Sequence, residues 1–299
     1  MLPERYTLGN LALAVRNPEA LVSELRRQAI GVNKSVTEST EGVSVLQEDW
    51  DNLILLDACR SDTFEEVNYL DGELTSVRSK GSNSPQFIQR NFNDVTAHDT
   101  VYVSGNGWLS SLDSNPFHAV RALYNDDWDD DVDNVRAESV TEAAIEAHED
   151  FPNKRLIIHY MQPHAPFFGE FGQELQDRVR EGKYIWNEFE AGILDALIDE
   201  MYRAYEENLE MVLGEAETLV DSLDGKSVIS SDHGELFGER LRPIPVRGYE
   251  HPPIPHSKLR DVPWLTIDGN RRDIVSEQQE QAEIDSDGVE EKLEALGYM

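Results

Sequence analysis

The hydrophobic and polar positions of this chain alternate between short apolar runs and longer segments of helical periodicity. Apolar runs bounded by polar or turn residues predict strands buried on both faces, at Asn52–Leu56, Thr100–Ser104, Arg155–Tyr160 and Lys226–Ser231, with a further strand in Glu73–Gly81. Apolar residues three or four apart predict helices over Asp62–Tyr69, Ser84–Phe92, Ala137–His148 and about Glu188–Leu223. This alternation predicts an α/β fold with a doubly wound, largely parallel sheet sandwiched by helices.

The pattern before residue 49 differs from that of the body. Residues 1–48 are predicted to form a helical extension and a linker, and residues 49–299 the α/β catalytic domain. Helical spacing over Leu11–Gln28 is interrupted near Asn17–Pro18, where the proline would begin a second helix. The polar segment Gly31–Glu48 predicts a linker, and we expect the helices before it to pack on the main domain.

The composition of the chain indicates the solvent environment in which the protein folds. The chain has 59 acidic and 26 basic side chains, a formal net charge of -33, which argues against nucleic-acid binding by a basic surface. Repulsion of this size predicts adaptation to a high-salt cytoplasm, where the Debye length falls to about 3 Å at 1 M salt. Five Trp, ten Tyr and ten Phe with well-formed apolar runs argue against a disordered acidic chain.

The lengths of the apolar runs and the number of cysteines limit the predicted location of the protein and the ligands that a metal could have. No apolar run approaches the roughly 18 residues that span a bilayer, so we expect a soluble, cytoplasmic protein without a transmembrane segment. The single cysteine, Cys59, excludes an internal disulfide and a thiolate-based structural zinc site. Any metal must therefore use oxygen and imidazole ligands, while the oligomeric state stays open.

Two predicted strands end in side chains that could bind a cation, at the edge of the sheet where such folds bind ligands. Asp57 follows an apolar run directly, so its carboxylate would be buried and would need a cation; alternatively it caps a helix that begins near Ser61. Asp232 and His233 end another run and suit Zn²⁺ or Mn²⁺, with a solvated loop as the alternative.

A serine at the start of a predicted helix is the candidate nucleophile. Ser84 precedes Pro85, which is the arrangement of an N-cap with proline at the first helical position. The positive end of a helix dipole stabilises an alkoxide, and a divalent cation beside the hydroxyl would make it reactive at neutral pH. Ser82 is the rival position.

Together these segments resemble a known group of enzymes. LILLDACRSDTF, GSNSPQFIQRNF, HYMQPHAPFFG, SDHGELFGE and LEALGYM, in this order, are similar to the alkaline phosphatase superfamily, in its sulfatase-like branch as found in haloarchaea. The resemblance implies that Asp57, Asp232 and His233 are metal ligands and that Ser84 is a nucleophile that also touches the metal.

The resemblance also implies histidines around the substrate. His164 matches the histidine that contacts the substrate's anionic group or completes a second metal site. His251 or His256 lies where the family supplies another cationic or metal-binding residue, although either could instead pack in a proline-rich loop. Arg60 and Lys80 are further candidates for binding an anionic group.

Two departures from the sulfatase pattern shape the expected reaction. The segment S-N-S-P-Q lacks the C/S-x-P-S-R motif that yields formylglycine, so phosphoryl transfer by serine is favoured over sulfate-ester hydrolysis. Gln162 stands where a second metal would require a carboxylate, which favours one divalent ion, Mn²⁺ or Zn²⁺ before Mg²⁺ or Ca²⁺.

The sequence therefore predicts a metal-dependent hydrolase of phosphate mono- or diesters, with a small anionic ester as substrate, possibly linked to a sugar or lipid. One alternative keeps the site but transfers a phosphoryl or phosphoglycerol group to a sugar or lipid head group. The other is a catalytically degenerate protein that binds an anionic glycan or a protein partner.

Overall fold

The computed structural model describes residues 18–37, 39–129, 132–277, 279, 289, 292 and 293. Residues 11–17 of the first predicted helical segment, and all but one residue of LEALGYM, lie outside these ranges. The α-helices are α1 Pro18–Thr37, α2 Ser61–Val67, α3 Ser84–Phe92, α4 Leu123–Asp126, α5 Ala137–Asp150, α6 Glu170–Gln176, α7 Ile185–Glu190, α8 Ile198–Ser222 and α9 Ser257–Arg260. Short 3₁₀ helices span Val45–Gln47 and Gly107–Ser111.

The strands build one large sheet and two small ones. They are β1 Asn52–Asp57, β2 Glu73–Arg78, β3 Ala97–Ser104, β4 Phe117–Ala122, β5 Trp128–Asp129, β6 Asn134–Val135, β7 Arg155–Pro163, β8 Ser227–Ser230, β9 Leu236–Arg240, β10 Arg247–Glu250 and β11 Asp261–Ile267. The seven-stranded sheet has the order β2-β11-β8-β1-β7-β3-β4. It is parallel except at β11, which runs antiparallel to β2 and β8. The predicted largely parallel α/β fold is thus confirmed.

Strand β1 lies in the middle of this sheet, between β8 and β7. All six of its residues are buried, and Leu53 stands opposite Ile157 of β7 and Val228 of β8. A strand that is covered on both faces and paired on both edges has no solvated side, which explains why its sequence is continuously apolar rather than alternating. The carboxyl ends of these three strands meet at one edge.

Helices cover both faces of the sheet, as predicted. Neighbouring residues of β7 show this, because successive side chains of a strand point to opposite faces. His159 packs against Phe87 of α3, with ring centroids 6.4 Å apart. On the other face the Tyr160 hydroxyl lies 2.7 Å from that of Thr141 in α5. The sheet is therefore the middle layer of a three-layer sandwich.

Two helix predictions differ from the structure. Helix α1 continues to Thr37, so part of the segment predicted as a linker is helical. The single helix predicted over about Glu188–Leu223 is two helices, α7 and α8, separated by residues 191–197. Gly192 interrupts the helix with a φ of 65°, and the Leu197 N–H donates to the Glu200 side chain at 2.7 Å, which starts α8 anew.

A two-stranded antiparallel ribbon, β9 and β10, stands apart from the large sheet. The sequence did not reveal it, because both strands are short and mix charged with apolar residues. Leu236 at the start of β9 pairs with Glu250 at the end of β10. Among the helices in the described part of the chain, none is long and apolar enough to cross a membrane.

Candidate active site

A cluster of buried acidic and imidazole groups lies at the carboxyl edge of the large sheet. Asp57 is the last residue of β1, and Asp232 and His233 follow the neighbouring strand β8. All three are completely buried, and their donor atoms lie within 4.8 Å of one another. The strand order thus brings together the three side chains that the sequence predicted as metal ligands.

The backbone around His233 fixes the direction of its ring. Its Nδ1 lies 2.9 Å from the carbonyl oxygen of Gly234, so this nitrogen donates to the backbone and Nε2 is directed into the cluster. Nε2 lies 3.3 Å from Asp57 Oδ1 and 3.4 Å from Asp232 Oδ2. A side chain at position 234 would collide with the carbonyl oxygen of Lys258, so only glycine permits this close approach.

Ser84 reaches the cluster from the first turn of α3. The residue that caps this helix is Asn83, whose side chain accepts a hydrogen bond from the Gln86 N–H at 3.1 Å. The predicted N-cap role of Ser84 is therefore wrong, because the amide of Asn83 already fills it and Ser84 is the first helical residue. The completely buried Ser84 hydroxyl instead donates to Asp57 Oδ2 at 3.3 Å and lies 3.2 Å from His233 Nε2.

The electrostatics of the cluster favour a bound cation. Burial disfavours the charged form of His233, but Asp232 and Asp57 outweigh it and raise the pKa of the imidazole to about 9. Burial likewise opposes ionisation of Asp232, yet the nearby imidazoles of His233 and His159 hold the pKa of Asp232 below its usual range. Two carboxyl groups and one imidazole thus share one buried space.

The donor atoms of the cluster fit a divalent metal ion. Asp57 Oδ1 and Asp232 Oδ2 are buried oxygens to which no described group donates a hydrogen bond. Such oxygens are costly unless a cation completes them. Two carboxylates, one imidazole and the Ser84 hydroxyl form an oxygen and nitrogen donor set that suits Zn²⁺ or Mn²⁺.

The turn after Asp57 is held in a strained conformation. Ala58 has a φ of 61°, in the left-handed region that disfavours side chains with a Cβ atom. Its N–H donates to Asp232 Oδ1 at 3.2 Å, and its carbonyl oxygen accepts from the Tyr205 hydroxyl at 2.9 Å. These bonds tie the turn to the late strand and to α8, and so keep the Asp57 and Asp232 carboxylates in register.

The structure adds two residues that sequence reasoning missed. Asn106, just beyond β3, donates from Nδ2 to Asp57 Oδ2 at 2.7 Å. His159, inside the β7 run, places Nε2 3.6 Å from Asp232 Oδ2 and holds Nδ1 2.9 Å from the Tyr102 hydroxyl. The one available signal was position, since both residues lie near the carboxyl ends of central strands.

His164, Glu235 and His251 form a second cluster beside the first. The His251 ring lies between two others, with its centroid 4.7 Å from that of His233 and 5.0 Å from that of His164. His251 Nδ1 is 3.5 Å from Glu235 Oε2. Burial lowers the pKa of both His164 and His251 and raises that of Glu235, so this cluster holds neutral imidazoles next to a carboxyl group.

His164 is itself held by its neighbours. Its Nδ1 is 2.6 Å from the Ala165 carbonyl oxygen, and Nε2 is 3.3 Å from the Tyr184 hydroxyl. The rings of His164 and Tyr184 are stacked at an interplanar angle of 14°. His256, the alternative to His251, lies elsewhere as the N-cap of α9, where Nδ1 accepts from the Lys258 N–H.

The predicted cationic residues are engaged elsewhere. The Arg60 guanidinium bonds the carboxylates of Asp62 and Glu239 at 2.7 to 2.9 Å. Lys80 Nζ donates to the Arg90 carbonyl oxygen at 3.2 Å. Neither described arrangement brings the side chain to the first cluster.

Ser82 and Gln162 also make their hydrogen bonds outside the first cluster. The Ser82 N–H donates to Gln86 Oε1 at 3.1 Å, and none of the described hydrogen bonds of Ser82 reaches Asp57 or His233. Gln162 donates from Nε2 to the Val135 carbonyl oxygen at 3.0 Å, away from the cluster. Of the two serines, the structure brings Ser84 to the cluster.

Comparison with solved structures identifies the fold. The C-terminal periplasmic domain of EcEptC from Escherichia coli, in complex with Zn, is 13% identical and has a TM-score of 0.50 over 77% of this chain and 75% of that chain. The corresponding domain of phosphoethanolamine transferase EptC from Campylobacter jejuni is 15% identical, with a TM-score of 0.47 over 72% and 78%. A protein in the alkaline phosphatase superfamily from Vibrio parahaemolyticus is 14% identical, with a TM-score of 0.38 over 81% and 64%.

At these identities the likeness concerns the fold alone. No protein-family model matches the sequence, and no curated protein matches it significantly. The resemblance inferred from the sequence motifs is confirmed at the level of the fold.

Proposed function

We propose that this chain, which has the α/β fold of the alkaline phosphatase superfamily, is a metal-dependent hydrolase of phosphate esters with Ser84 as nucleophile. The observation that carries the proposal is the meeting of the Ser84 hydroxyl with Asp57 and His233 in a completely buried cluster. A folded scaffold does not require a hydroxyl, two carboxylates and an imidazole in one buried space, whereas ester hydrolysis uses all of them.

Asp57, Asp232 and His233 would hold one divalent ion, Zn²⁺ or Mn²⁺. When bound, this ion would lower the pKa of the Ser84 hydroxyl and offset negative charge that develops at phosphorus. His233 would bind the ion through Nε2, because its Nδ1 donates to the Gly234 carbonyl oxygen. Asn106 orients Asp57 through the 2.7 Å hydrogen bond to Oδ2, which leaves Oδ1 directed at His233 Nε2.

Ser84 attacks phosphorus in line with the leaving group in this proposal. The Ser84 hydroxyl loses its proton to water, and its Oγ forms a bond to phosphorus while the bond to the leaving oxygen breaks. The leaving oxygen takes a proton from water, and a phosphoseryl intermediate remains. Asp57 Oδ2, which accepts the Ser84 hydrogen bond at 3.3 Å, orients the hydroxyl for this attack. Water then cleaves the new ester and restores the serine.

The second cluster is placed to bind the rest of the phosphate group. His251 lies directly next to His233, so a group bound to the first cluster would come within reach of the imidazoles of His251 and His164. An imidazole N–H donates to the non-bridging oxygens of a bound phosphate ester. Because the Nδ1 proton of His164 is already donated to the Ala165 carbonyl oxygen, this ring would donate from Nε2 only as an imidazolium. We therefore infer that His164 and His251 contact the substrate, and that His256 does not.

Phosphate is favoured over sulfate by the state of the cysteine. Burial, with Asp232 and Asp62 nearby, raises the pKa of the Cys59 thiol well above its ordinary value. A buried neutral thiol is a poor nucleophile. Ser84 in its unmodified form is then the group that reacts, which suits phosphoryl transfer.

Transfer to an alcohol is the second candidate. Among the structures with the same fold is the zinc complex of a periplasmic domain of EcEptC, at a TM-score of 0.50. A transferase would form the same phosphoseryl group and then pass it to the hydroxyl of a sugar or lipid head group instead of water. The two reactions differ only in the acceptor.

A matched pair of serine variants tests the nucleophile. We expect Ser84→Ala to lose at least about 1,000-fold in kcat on nitrophenyl phosphate or bis-nitrophenyl phosphate, because the Ser84 hydroxyl is the one that contacts both Asp57 Oδ2 and His233 Nε2 among the described residues. Ser82→Ala should retain wild-type activity, and nitrophenyl sulfate should be a poor substrate for both.

The outcomes separate the candidate functions. Loss of activity in Ser82→Ala but not in Ser84→Ala would contradict the assignment. Metal binding without hydrolysis, but with product formed when an alcohol acceptor is added, would favour the transferase. An inert protein that binds no metal would be the degenerate binding protein.

A further inference from the structure

Two of the three residues of the second cluster flank the strands of the ribbon formed by β9 and β10. Glu235 directly precedes β9, and His251 directly follows β10. Because Leu236 pairs with Glu250, the two residues enter the site side by side at the open end of the ribbon. The ribbon is not part of the large sheet, and a two-stranded hairpin is marginally stable alone. Its position must therefore come from contacts with other elements.

Helix α1 contacts the ribbon at its turn. Asn33 is completely buried and uses both ends of its side-chain amide on one residue of that turn, Ile244. Nδ2 donates to the Ile244 carbonyl oxygen at 3.0 Å, and Oδ1 accepts from the Ile244 N–H at 2.8 Å. This reciprocal pair satisfies two backbone groups and fixes the turn in distance and direction.

The same helix contacts the ribbon near its site end. The Arg26 guanidinium lies 5.1 Å from the ring centroid of Tyr249, two residues before His251, and forms a 2.5 Å ion pair with Glu190 of α7. Ile30 packs between these points, against the buried cluster of Leu236, Leu241, Ile254 and Leu259. Positions 26, 30 and 33 lie on one face of a helix, so a single face of α1 spans the ribbon.

We propose that Asn33 and Arg26 are positioning residues of the active site, and that α1 acts as a brace that holds Glu235 and His251 in the second cluster. The kinetic test of this positioning role rests on the proposed function, whereas the positioning role itself does not. Groups that bind a substrate must be held within about 0.5 Å. Helix α1 adds the contacts at the turn and at Tyr249 to those that Trp186 makes with Phe237 and Tyr249. The N-terminal helix is then part of the catalytic apparatus and not an appendage.

The test compares variants on the two faces of α1 in the full chain. Asn33→Ala and Arg26→Gln remove the brace, while Leu25→Ala and Val32→Ala change side chains that are 61% and 47% exposed on the same helix. For nitrophenyl phosphate we expect the brace variants to raise KM about 10-fold and to change kcat less than about twofold, because Ser84 and the first cluster stay in place. Arg26→Lys keeps the charge opposite Glu190 and should recover most of the KM.

A second readout does not depend on activity. Diethyl pyrocarbonate modifies accessible histidines, and His251 is nearly buried in the braced ribbon. We expect modification of His251, followed by peptide mass spectrometry, to be several-fold faster in Asn33→Ala than in wild type and unchanged in Leu25→Ala. Bound metal should be the same in all of these proteins.

These measurements distinguish failure of the positioning role of α1 from failure of the proposed hydrolase function. Brace variants with wild-type KM and wild-type His251 reactivity, whatever their melting temperature, would overturn the positioning role. Wild-type protein without activity on any ester, but with His251 exposed only in the brace variants, would overturn the proposed function and leave the brace standing.

Discussion

At the scale of single residues, the first cluster places two buried carboxylates and one imidazole around a space that a cation would fill. Asp232→Asn keeps the size of the side chain and removes one of the two charges. We expect the variant to bind metal at least about 100-fold more weakly than wild type, because a neutral amide replaces an anionic ligand. Elemental analysis after gel filtration in metal-free KCl buffer measures the bound metal.

Asp62→Asn is the matched control, since its carboxylate pairs with Arg60 and Lys258 outside the cluster. It should retain the wild-type metal content. An Asp232→Asn protein that still carries one equivalent of tightly bound metal would contradict the ligand assignment.

The sequence could predict the members of this cluster whose position follows from strand ends. Asp57, Asp232 and His233 directly follow apolar runs, and parallel strands place such residues at one edge. Asn106 lies just beyond β3 and His159 lies inside β7, and only the folded structure shows that their side chains reach Asp57 and Asp232.

At the scale of elements, Asp62 links the start of α2 to α9 and, through Arg60, to β9. Burial alone would raise the pKa of Asp62, but hydrogen bonds from Arg60 and Lys258 outweigh it and lower the pKa below its ordinary value. A carboxyl group whose pKa is lower in the folded state stabilises the fold above its unfolded pKa of about 3.9. That contribution is lost as the pH falls toward the folded pKa.

We therefore expect Asp62→Asn to lower the free energy of unfolding by about 1–2 kcal/mol at neutral pH, a value reduced for the partial exposure of the pair. The difference from wild type should shrink below about pH 4. Urea unfolding of both proteins across this range measures it, with Asp113→Asn as an exposed control. A difference that grows as the pH falls would be inconsistent with this ion pair.

The elements that the sequence predicted well are those whose buried positions match their apolar pattern. Strand β1 and helix α3 carry unambiguous patterns, and the structure has α3 at the predicted residues, Ser84–Phe92. The break between α7 and α8 escaped prediction because Ile193 and Leu197 continue the apolar spacing although they are 49% and 70% exposed. Apolar spacing indicates burial only on average. Here Gly192, with its positive φ, ends the helix although the apolar spacing continues.

At the scale of the whole molecule, the net charge of -33 exceeds what local ion pairs can offset. Unpaired acidic groups repel one another over the Debye length, which is about 10 Å at 0.1 M salt and about 3 Å at 1 M. We therefore expect stability and activity to increase with KCl, with a rise of at least about 5 °C in Tm between these concentrations.

Thermal unfolding followed by circular dichroism measures this rise. Choline chloride at equal ionic strength should give a similar increase, because screening does not depend on the identity of the cation. A melting temperature that is constant or falls with salt would contradict adaptation to a high-salt environment.

The proposed reaction requires Ser84 to form a covalent bond to phosphorus. We would quench the metal-loaded wild-type protein with acid during turnover of nitrophenyl phosphate and map phosphorylated peptides by fragmentation mass spectrometry. We expect one phosphoryl group on Ser84, absent from Ser84→Ala. Product formed while the protein stays unlabelled, or a label on Ser82, would contradict it.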